Sequence, residues 1–323
     1  MADLGVVYLY RFGDGELPVR AFLDSYRAYP AGAEHDLHVI LKGFPDRSSL
    51  ASARALFAGL PFNPIELDDT GYDIGSYFAA AKVVSNRRLI FFNTFTELLA
   101  DDWLKKFDSA LSLANVGLVG ATGSWQSLSN YYSVTLRQGW RRTKELLSGL
   151  VERPNGAQQT KAQQEDSQVF PQTNLRRRLG LGLRFLYIAI RIDRYLLYLY
   201  QYGRFPNPHI RTNAFMIERN RFLSLYAPAF KNKEDAYKFE SGRRSMTKQI
   251  IAQELKPVVV DRNGAVYGAS EWRSSSTFWA DEQPNLIVAD KRTRDYAKAS
   301  RGHRIFLQNN AWVHPSGWVM AGN

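Results

Sequence analysis

Residues 65–95, IELDDTGYDIGSYFAAAKVVSNRRLIFFNTF, contain two predicted strands with a helix between them. The first apolar run ends at Leu67 and is followed by a polar turn with a glycine. A helix is predicted over 77–84, where three alanines stand together. Residues 89–92 form a short continuous apolar run, which is typical of a strand buried on both faces of a sheet. The stretch therefore predicts a strand, a helix and a second strand in that order.

The same alternation continues on both sides of this stretch. Strands are predicted at 5–10, 37–41, 63–67, 89–92, 116–120, 214–217 and 256–260. Helices are predicted at 18–29, 48–60, 97–113, 222–230 and 245–255. Strands separated by single helices predict a mainly parallel, right-handed α/β sheet with helices on both faces. The aromatic stretches after residue 264 and at 310–318 are interpreted as loops over the ligand edge of the sheet.

Composition sets the class of the protein. The chain has 323 residues, of which 45% are hydrophobic and 13% aromatic, so it is expected to fold as a globular protein. It contains no cysteine, which excludes disulfides and thiolate metal sites. No signal peptide and no apolar stretch of about 18 residues is recognisable, so a cytoplasmic location is expected. The net charge of +11 predicts attraction to phosphates on nucleotides, nucleic acid or anionic lipids, and does not choose among them.

Polar side chains follow both strands of the opening stretch. Asp68, Asp69 and Asp73 come after the first strand, and Asn93 and Thr94 come after the second. In open α/β sheets, ligands bind at the carboxyl ends of the strands. The sequence therefore predicts a ligand site there. A further small and polar segment, 121–125, has two interpretations, an ordinary surface turn and a loop that approaches a ligand closely. The surface turn is slightly favoured.

The middle of the chain departs from this pattern. Residues 129–172 are rich in Gln, Arg, Ser and Pro and are expected to form a solvated loop within an insertion. Residues 175–205 combine many Leu, Ile and Tyr residues with several arginines, among them Arg176, Arg177, Arg178, Arg184, Arg191 and Arg194. Two interpretations stay open for this segment. It is either a basic amphipathic helix that lies on an anionic membrane or a helix that packs on the core with a basic outer face.

Three short motifs carry a resemblance to a known family. They are DTGYDIGSY at 69–77, the strand 89–92 with its Asn-Thr ending, and VGATGS at 119–124. Together they resemble the rhamnan-synthesis-type glycosyltransferases and related proteins of the nucleotide-diphospho-sugar transferase (GT-A-like) fold, which has a Rossmann-like sheet. The resemblance covers most of the chain apart from residues 129–205.

The resemblance implies a domain organisation and a function. Residues 1–128 would form the nucleotide-sugar-binding half, 129–205 a loop and basic aromatic helical insertion, and 206–323 the acceptor-side half of the same catalytic domain. The activity implied is transfer of a sugar from a nucleotide-activated donor to a glycan or lipid-linked acceptor in surface polysaccharide synthesis, with inversion as the expected outcome. The protein would act at the inner face of the membrane as a peripheral enzyme.

One departure from the family pattern concerns the metal. The D-x-D motif of the broader fold is expected after the strand 89–92, where this chain has Asn93, Thr94 and Phe95. An amide oxygen and a hydroxyl are poor ligands for a hard divalent cation. A Mn²⁺ or Mg²⁺ site therefore stays unassigned, and weak metal dependence is predicted.

Without a metal, cations and backbone donors must stabilise the leaving diphosphate. The candidate cations are Arg11, Lys42, Lys82, His209 and Arg211. Asp69 and Asp73 are candidates for binding ribose or sugar hydroxyls, with turn formation and helix capping as the alternative roles. Tyr10 and Tyr72 are candidates for stacking on the base, with simple packing as the alternative. Asn93 and Thr94 complete the predicted donor site.

Glu240 is the predicted catalytic base, placed in the loop before the helix at 245–255. Its rival is the acidic pair Glu234 and Asp235, and the alternative role for Glu240 is pairing with an arginine of the same loop. Asp73 is the second predicted catalytic carboxylate, on the family pattern. Motifs of other enzyme classes, such as G-x-S-x-G, H-E-x-x-H and Walker A, are absent from the sequence. The competing function is a non-catalytic nucleotide- or nucleic-acid-binding α/β protein, of which nucleic acid is the less favoured ligand.

Overall fold

The computed structural model describes residues 2–130, 181–314 and 317, with the backbone alone for 181–191. Its chain divides into two compact units, Met1–Ser127 with Gln201–Asn323, and Leu128–Tyr200. The strands of the described residues are β1 (Leu4–Arg11), β2 (Asp36–Lys42), β3 (Asn63–Leu67), β4 (Arg88–Phe92), β5 (Glu97–Leu98), β6 (Val116–Gly120), β7 (Gly123–Ser124), β8 (His209–Ile210), β9 (Ala214–Glu218), β10 (Lys256–Val260), β11 (Val266–Tyr267) and β12 (Val288–Ala289).

Ten α-helices lie in the described residues. They are α1 (Leu17–Ala28), α2 (Arg47–Ala55), α3 (Tyr72–Val83), α4 (Trp103–Leu111), α5 (Leu181–Tyr202), α6 (Arg219–Ser224), α7 (Lys233–Ser241), α8 (Met246–Ala252), α9 (Lys291–Lys298) and α10 (Arg301–Trp312).

Eight strands of the first unit form one sheet in the order β11-β10-β6-β9-β4-β1-β2-β3. The strands β4, β1, β2 and β3 are parallel neighbours, and β10 is parallel to β6. Strand β9 runs antiparallel between β4 and β6. The predicted mainly parallel α/β sheet is therefore confirmed. The chain passes from β1 outward to β2 and β3 and then returns to the other side of β1 as β4, which makes the β1/β4 boundary a topological switch point where such sheets bind ligands.

Helices cover both faces of the sheet, as predicted. On β1, Val6 and Tyr8 belong to a core that includes residues of α1 and α4, whereas Val7 and Leu9 face a second core that includes residues of α3 and α7. The alternation follows from the period of two along a strand. Tyr8 stacks on Phe22 of α1 with ring centroids 3.7 Å apart. Full burial of such a side chain contributes about 1.5–3 kcal/mol, so both faces anchor the strand whose end carries the site.

Several predicted helix bounds are wrong. The helix predicted at 77–84 is α3, which begins at Tyr72, because Gly71 adopts a left-handed conformation (φ 75°) that turns the chain directly into it. The helix predicted at 97–113 begins only at Trp103. Residues 97–98 instead pair with β12, a partner that lies far away in the sequence. The helix predicted at 48–60 ends at Ala55.

Corrections of the same kind apply to the later part of the chain. The stretch predicted as helical at 222–230 contains only the end of α6, at Ser224. Of the tail at 310–318, interpreted as a loop, residues 310–312 are the last residues of α10. Segment 121–125 is not a surface turn, because Ala121, Thr122 and Ser124 are buried and β7 pairs with β8.

The basic aromatic segment contains the 22-residue helix α5. Among the described residues, no helix is both long enough and apolar enough to cross a membrane. Most of the predicted insertion, residues 131–180, lies outside the described residues, and so do Arg176, Arg177 and Arg178. The domain boundaries at 128 and 205 stay a prediction.

Candidate functional site

Residues predicted from both halves of the sequence meet at one edge of the sheet. The carboxyl ends of the parallel strands β1 to β4 lie there, and antiparallel β9 begins at the same edge. Two groups of side chains result. The turn cluster consists of Arg11, Lys42, Asp69, Tyr72 and Asp73. A second group, the β9 cluster, lies around the start of β9 and consists of His209, Arg211, Thr212, Glu240 and Asp290.

Arg11 and Asp69 form the centre of the turn cluster. The guanidinium Nε donates to Oδ1 of Asp69 at 2.8 Å, and a terminal nitrogen donates to Oδ2 at 2.6 Å. This bidentate hydrogen bond raises the pKa of Arg11 and lowers the pKa of Asp69. Both side chains remain about 40% exposed, at 38% and 43%. The pair is therefore fully charged and accessible to a ligand from solvent.

Gly43 allows Asp69 to approach the end of β2. Its φ is 73°, and a Cβ at this position would lie 2.8 Å from the Cβ of Asp69. A larger residue would therefore be strained in its backbone and would clash with the turn. The glycine after the second strand thus fixes where the Arg11–Asp69 pair lies.

Lys42 lies beneath the turn and not on its surface. Its side chain is 1% exposed, and Nζ donates to the carbonyl of Tyr72 at 2.6 Å and lies 4.0 Å from Oδ1 of Asp69. Burial lowers the pKa of Lys42, an effect that Asp73 and Asp69 oppose. The buried ammonium therefore stabilises the turn, and its positive charge lies close to the carboxylate of Asp69.

The turn itself has an unusual backbone. Gly71 and Tyr72 both have positive φ, at 75° and 53°, and the second is uncommon for a residue with a side chain. The carbonyl of Tyr72 accepts from both Lys42 Nζ and Ser76 Oγ, at 2.6 and 2.8 Å. These bonds stabilise the conformation, and the Tyr72 ring is 41% exposed at the edge of the sheet. Its position is compatible with the predicted stacking role.

Asp73 lies in the first turn of α3. Its side chain reaches solvent, yet burial among surrounding protein atoms raises its pKa, and Asp14 and Glu240 add to that rise while Lys42 and Arg11 oppose it. Asp73 is thus an exposed carboxyl group with a raised pKa, close to the two cations Lys42 and Arg11.

Glu240 is the functional candidate of the β9 cluster, and its predicted place in a loop is wrong. It lies in the last turn of α7. Its Oε2 accepts from the backbone N–H of Thr212 at 2.9 Å and from Oγ1 of Thr212 at 2.6 Å. Burial raises the pKa of Glu240, but Arg211, His209 and the bonds from Thr212 outweigh this and lower it. The group is therefore an anion at neutral pH.

The alternative candidates for the catalytic base, Glu234 and Asp235, form contacts that stabilise helix α7. Asp235 and Asn232 form a reciprocal cap at the start of α7. Glu234 pairs with Lys238 one turn later in the same helix, at 3.2 Å. The arginine Arg244, an alternative partner for Glu240, instead lies over the ring of Tyr226.

The β9 cluster also holds His209 and Arg211, both buried. His209 Nδ1 donates to the carbonyl of Asn207 at 2.8 Å, and burial lowers the pKa of the ring. Arg211 lies 3.5 Å from Oδ2 of Asp290 and 4.3 Å from the ring centre of Phe278. The two predicted cations are thus a buried imidazole with a lowered pKa and the guanidinium of a buried ion pair.

Sequence reasoning missed Asp290, which is 3% exposed. This residue caps α9 by accepting from the backbone N–H of Thr293 at 2.8 Å. An Asp directly before a helix is a recognisable cap signal. Its second role, as the partner of Arg211, depends on residues 79 positions apart and carries no local signal.

Asn93, Thr94 and Tyr10 are engaged in local structure. The Oδ1 of Asn93 accepts from Phe95 N and Thr96 Oγ1, at 3.1 and 3.2 Å. Thr94 is buried, and its carbonyl accepts from the hydroxyl of Tyr8 at 2.9 Å. Tyr10 is also buried, in edge contact with Phe44. The other predicted cation, Lys82, lies in the last turn of α3, whereas Tyr72 and Asp73 of the turn cluster lie in its first turn.

Among the residues that the structure describes, no preassembled set of ligands for a divalent cation lies at this edge. The amide oxygen of Asn93, which stands in the place of the D-x-D motif, is already bound within its own turn. Within residues 2–130 and 181–314, no group of three His, Asp or Glu side chains is arranged to hold a metal ion. What the edge offers instead is a set of fixed cations beside two carboxylates.

No protein-family model matches the sequence, and no curated protein matches it. Part of the chain is similar to solved structures of glycosyltransferases. One is the mannosyltransferase PcManGT from Pyrobaculum calidifontis in complex with GDP-Man and Mn²⁺, with 13% identity, a TM-score of 0.32, and coverage of 36% of this chain and 34% of that one. Another is S. aureus TarS in complex with UDP-GlcNAc, with 13% identity, a TM-score of 0.30, and coverage of 37% and 34%.

A third similar structure is an active-site mutant of LgtC, with 13% identity, a TM-score of 0.29, and coverage of 36% of this chain and 46% of that one. The aligned part is therefore between about a third and a half of the length of these structures.

Proposed function

We propose that this chain is a glycosyltransferase that uses a nucleotide-activated sugar. The observation that carries the proposal is the turn cluster, in which the accessible Arg11–Asp69 pair, the buried Lys42 and the exposed Asp73 lie close together beside the switch point of a parallel sheet. This is the place where α/β sheets bind nucleotides. A strongly basic chain also favours a phosphate-bearing ligand.

The reaction needs a stabilised leaving diphosphate, and Arg11 is the residue that we assign to it. Its guanidinium is a planar fork that matches phosphate oxygens. Asp69 holds that fork in place and remains available for ribose or sugar hydroxyls. Lys42 adds positive potential from below the turn. Tyr72, with its exposed ring, is the proposed stacking partner of the base.

The acceptor hydroxyl needs a base if the configuration inverts, which we propose. Asp73 is exposed, and its raised pKa makes it the stronger base of the two carboxylates. Glu240 has a lowered pKa, and one oxygen is held by Thr212. We therefore assign proton acceptance to Asp73 first. Glu240 stays a candidate base through its second oxygen and positions the segment before β9.

We also propose that the reaction depends only weakly on a metal. Cations of the chain take the role that Mn²⁺ or Mg²⁺ has in enzymes with two aspartates at this position. The bound amide of Asn93 supports this proposal. The His209 ring and the buried Arg211 contribute by shaping the acceptor side of the site and its electrostatic potential.

The acceptor that we propose is a glycan or lipid-linked saccharide of surface polysaccharide synthesis, reached at the cytoplasmic face of a membrane. Helix α5 supports the membrane part. Its described residues expose Ile192, Leu196, Leu197 and Tyr200 to between 45% and 75%. Three of them, at positions 192, 196 and 200, share one helical face. With the arginines of 175–205, this face suits an anionic lipid surface, where each cation contributes about 1 kcal/mol.

Co-sedimentation with vesicles tests the membrane part. Binding to anionic vesicles and not to neutral ones, weakened but not abolished by salt, is the expected result, because apolar burial is insensitive to salt. A variant with Leu196 and Tyr200 changed to Ser should bind less, whereas changing the exposed Tyr226 of the other unit should have no effect. Equal absence of binding to both vesicle types would remove the membrane from the proposal.

A thermal-shift panel of nucleotide sugars, with and without Mn²⁺, tests the activity class. A ligand at about 100 times its dissociation constant stabilises a protein by about 2.7 kcal/mol. One nucleotide sugar is expected to raise the melting temperature without metal and to be hydrolysed slowly. The competing function, nucleic-acid binding, is motivated by the charge. It predicts oligonucleotide affinity that falls steeply with salt, because bound phosphates release counterions.

A further inference from the structure

Two half-buried aromatic side chains, Trp125 and Phe205, lie in contact and form what we call the aromatic corner. Their ring centroids are 6.5 Å apart, and the ring planes meet at 72°. The buried Trp312 also contacts Trp125, with ring centroids 5.4 Å apart and planes at 81°. Among the described residues, no ring is therefore stacked face to face on Trp125.

Trp125 is held in a fixed orientation. Its indole Nε1 donates to the carbonyl of Ala269 at 2.8 Å, and its backbone N–H donates to the carbonyl of Ala311 at 3.0 Å. Part of the ring packs against the second core, on the side of the sheet that α3 and α7 cover, while the rest stays accessible. A preorganised ring loses little conformational entropy when a ligand binds to it.

Gln126, the next residue in the chain, adds a polar group. Its backbone N–H donates to Ser124 Oγ at 3.1 Å, and its carbonyl accepts from Asn207 Nδ2 at 3.4 Å. Its half-buried side-chain amide, which can both donate and accept, forms no hydrogen bond with the part of the chain that the structure describes. Rings followed by such an amide suit a ligand that is apolar on one face and carries hydroxyls at its rim.

Asn207 connects the aromatic corner to the β9 cluster. Its backbone N–H donates to the carbonyl of Trp125 at 2.9 Å, and its side-chain amide donates to the carbonyl of Ser241 at 2.7 Å. Ser241 directly follows Glu240, and the carbonyl of Asn207 accepts from His209 Nδ1. The corner is therefore a neighbour of the residues that we assign to the acceptor side.

The strand order also places the aromatic corner at the ligand edge of the sheet. Strand β6 is antiparallel to β9, so β6 ends at the edge where β9 begins. The chain then forms β7, which pairs with β8 and ends directly before Trp125. Segment 121–125 thus leads from the end of a central strand to the aromatic corner.

We propose that the aromatic corner and Gln126 bind a sugar ring of the acceptor. The inference rests on the proposed transferase function and adds to it that the acceptor is recognised through a pyranose ring. The C–H groups on one face of a pyranose are apolar and pack on an aromatic ring, while hydroxyls at its rim bond to an amide. A nucleotide base also stacks on aromatic rings, but the proposed base site is at Tyr72 in the turn cluster.

Saturation-transfer difference NMR measures this contact without any activity assay. The probes are the methyl glycosides of glucose, galactose, mannose, rhamnose and N-acetylglucosamine, with sorbitol as a probe that has hydroxyls but no ring. UDP and GDP are both present, to occupy the donor site. At least one glycoside should receive saturation, strongest on the C–H protons of one ring face, and sorbitol should receive none. Absence of saturation for every glycoside would overturn the proposal.

Variants locate the contact, with the affinity measured by titration of the same signal. Trp125→Ala should lower the affinity for the glycoside about tenfold, because the stacking ring is lost, and Trp125→Phe should keep most of it. Gln126→Ala should lower it about fivefold through the loss of one hydrogen bond. Tyr226→Ala removes an exposed ring elsewhere and should change nothing.

Phe205→Ala keeps the test decisive if Trp125→Ala does not fold, which melting curves will show. Phe205 belongs to neither core, so its removal should leave the fold intact and lower the affinity about fivefold. Unchanged affinity in Phe205→Ala together with Gln126→Ala would overturn the assignment of the aromatic corner.

Two further outcomes separate this inference from its alternatives. If the aromatic corner inserts into lipid instead, binding to phosphatidylcholine vesicles will fall in Phe205→Ala and no glycoside will receive saturation, which would overturn the proposal. Failure of the transferase function is distinguishable, since a glycoside would contact the corner while no nucleotide sugar raises the melting temperature. Nucleotide-sugar binding without any glycoside contact would overturn the acceptor subsite alone.

Discussion

The turn cluster and the β9 cluster lie at the same edge of the sheet but differ in the exposure of their ion pairs. Arg11 and Asp69 are paired and about 40% exposed. Arg211 and Asp290 are paired and almost completely buried. A buried pair has no room for a ligand, whereas an exposed and oriented pair can exchange a protein contact for a ligand contact. The comparison suggests that the first cluster binds the donor and the second shapes the site.

The largest expected effect is on stability and concerns the β9 cluster. Arg211→Ala should destabilise the protein by about 3–5 kcal/mol, because Asp290 is left as a buried charge without a partner. Arg87→Ala is the control, since Arg87 and Asp3 form an exposed pair, and its cost should stay within about 1 kcal/mol. Urea unfolding of both variants measures the difference. Equal free energies of unfolding for the two variants would show that Arg211 is not a structural residue.

The next effect is on the donor and concerns the turn cluster. Asp73→Ala should weaken donor binding by about a hundredfold or more, equivalent to about 2.7 kcal/mol, while cooperative unfolding is retained. The reason is the loss of an exposed carboxylate that is also, with Asp69, the candidate for binding ribose or sugar hydroxyls of the donor. Asp24→Ala, an exposed aspartate on α1, is the control. Calorimetric titration with the nucleotide sugar checks both, and unaltered affinity in the Asp73 variant would remove that residue from the site.

A smaller effect on donor binding is expected at Lys42, which belongs to the turn cluster but is buried like the ion pair of the β9 cluster. This buried cation belongs to the exposed cluster and holds the carbonyl of Tyr72. Lys42→Met should weaken donor binding about tenfold, because the bond that stabilises the turn and the nearby positive charge are lost together. The measurement is again donor titration, with melting to monitor the fold. A donor affinity equal to that of the unchanged protein would mean that the turn needs no support from below.

Chelation should have the smallest effect. Donor hydrolysis in EDTA is expected to stay within about twofold of its rate in Mg²⁺, because Arg11 and Lys42 supply the positive charge that a metal would supply. The amide of Asn93 is bound within its turn and offers a cation little. A steady-state rate measured with and without EDTA tests this. Complete loss in EDTA, restored by Mn²⁺, would show that a metal is held by other oxygen ligands.

The sequence predicts the turn cluster better than the β9 cluster for a physical reason. Asp69, Tyr72 and Asp73 lie within one strand-turn-helix unit, and Arg11 and Lys42 end neighbouring strands, so the topology alone brings them together. Seven of the eight strands of the main sheet are predicted to within about one residue, because most of them are short, continuously apolar runs. The eighth, β11, lies in a stretch that was interpreted as a loop.

The β9 cluster depends on tertiary contacts that no local pattern contains. Asp290 and Arg211 are 79 positions apart in the sequence, and Thr212 meets Glu240 across 28 positions. Helix bounds failed for the same reason at residues 97–98, whose partner β12 comes from the last part of the chain. No helix is predicted over 233–241, so Glu240 was expected in a loop, whereas it lies in the last turn of α7.

Hydrogen–deuterium exchange with and without the bound nucleotide sugar, in EDTA, tests the central claim most directly. If the turn cluster binds the donor, amide exchange in residues 68–76 and 11–15 should slow on binding, because the ligand contacts the turn and the end of β1. The buried strand β10 should not change, as its amides are already protected. Slower exchange confined to other surfaces, with no change in residues 68–76, would contradict the account.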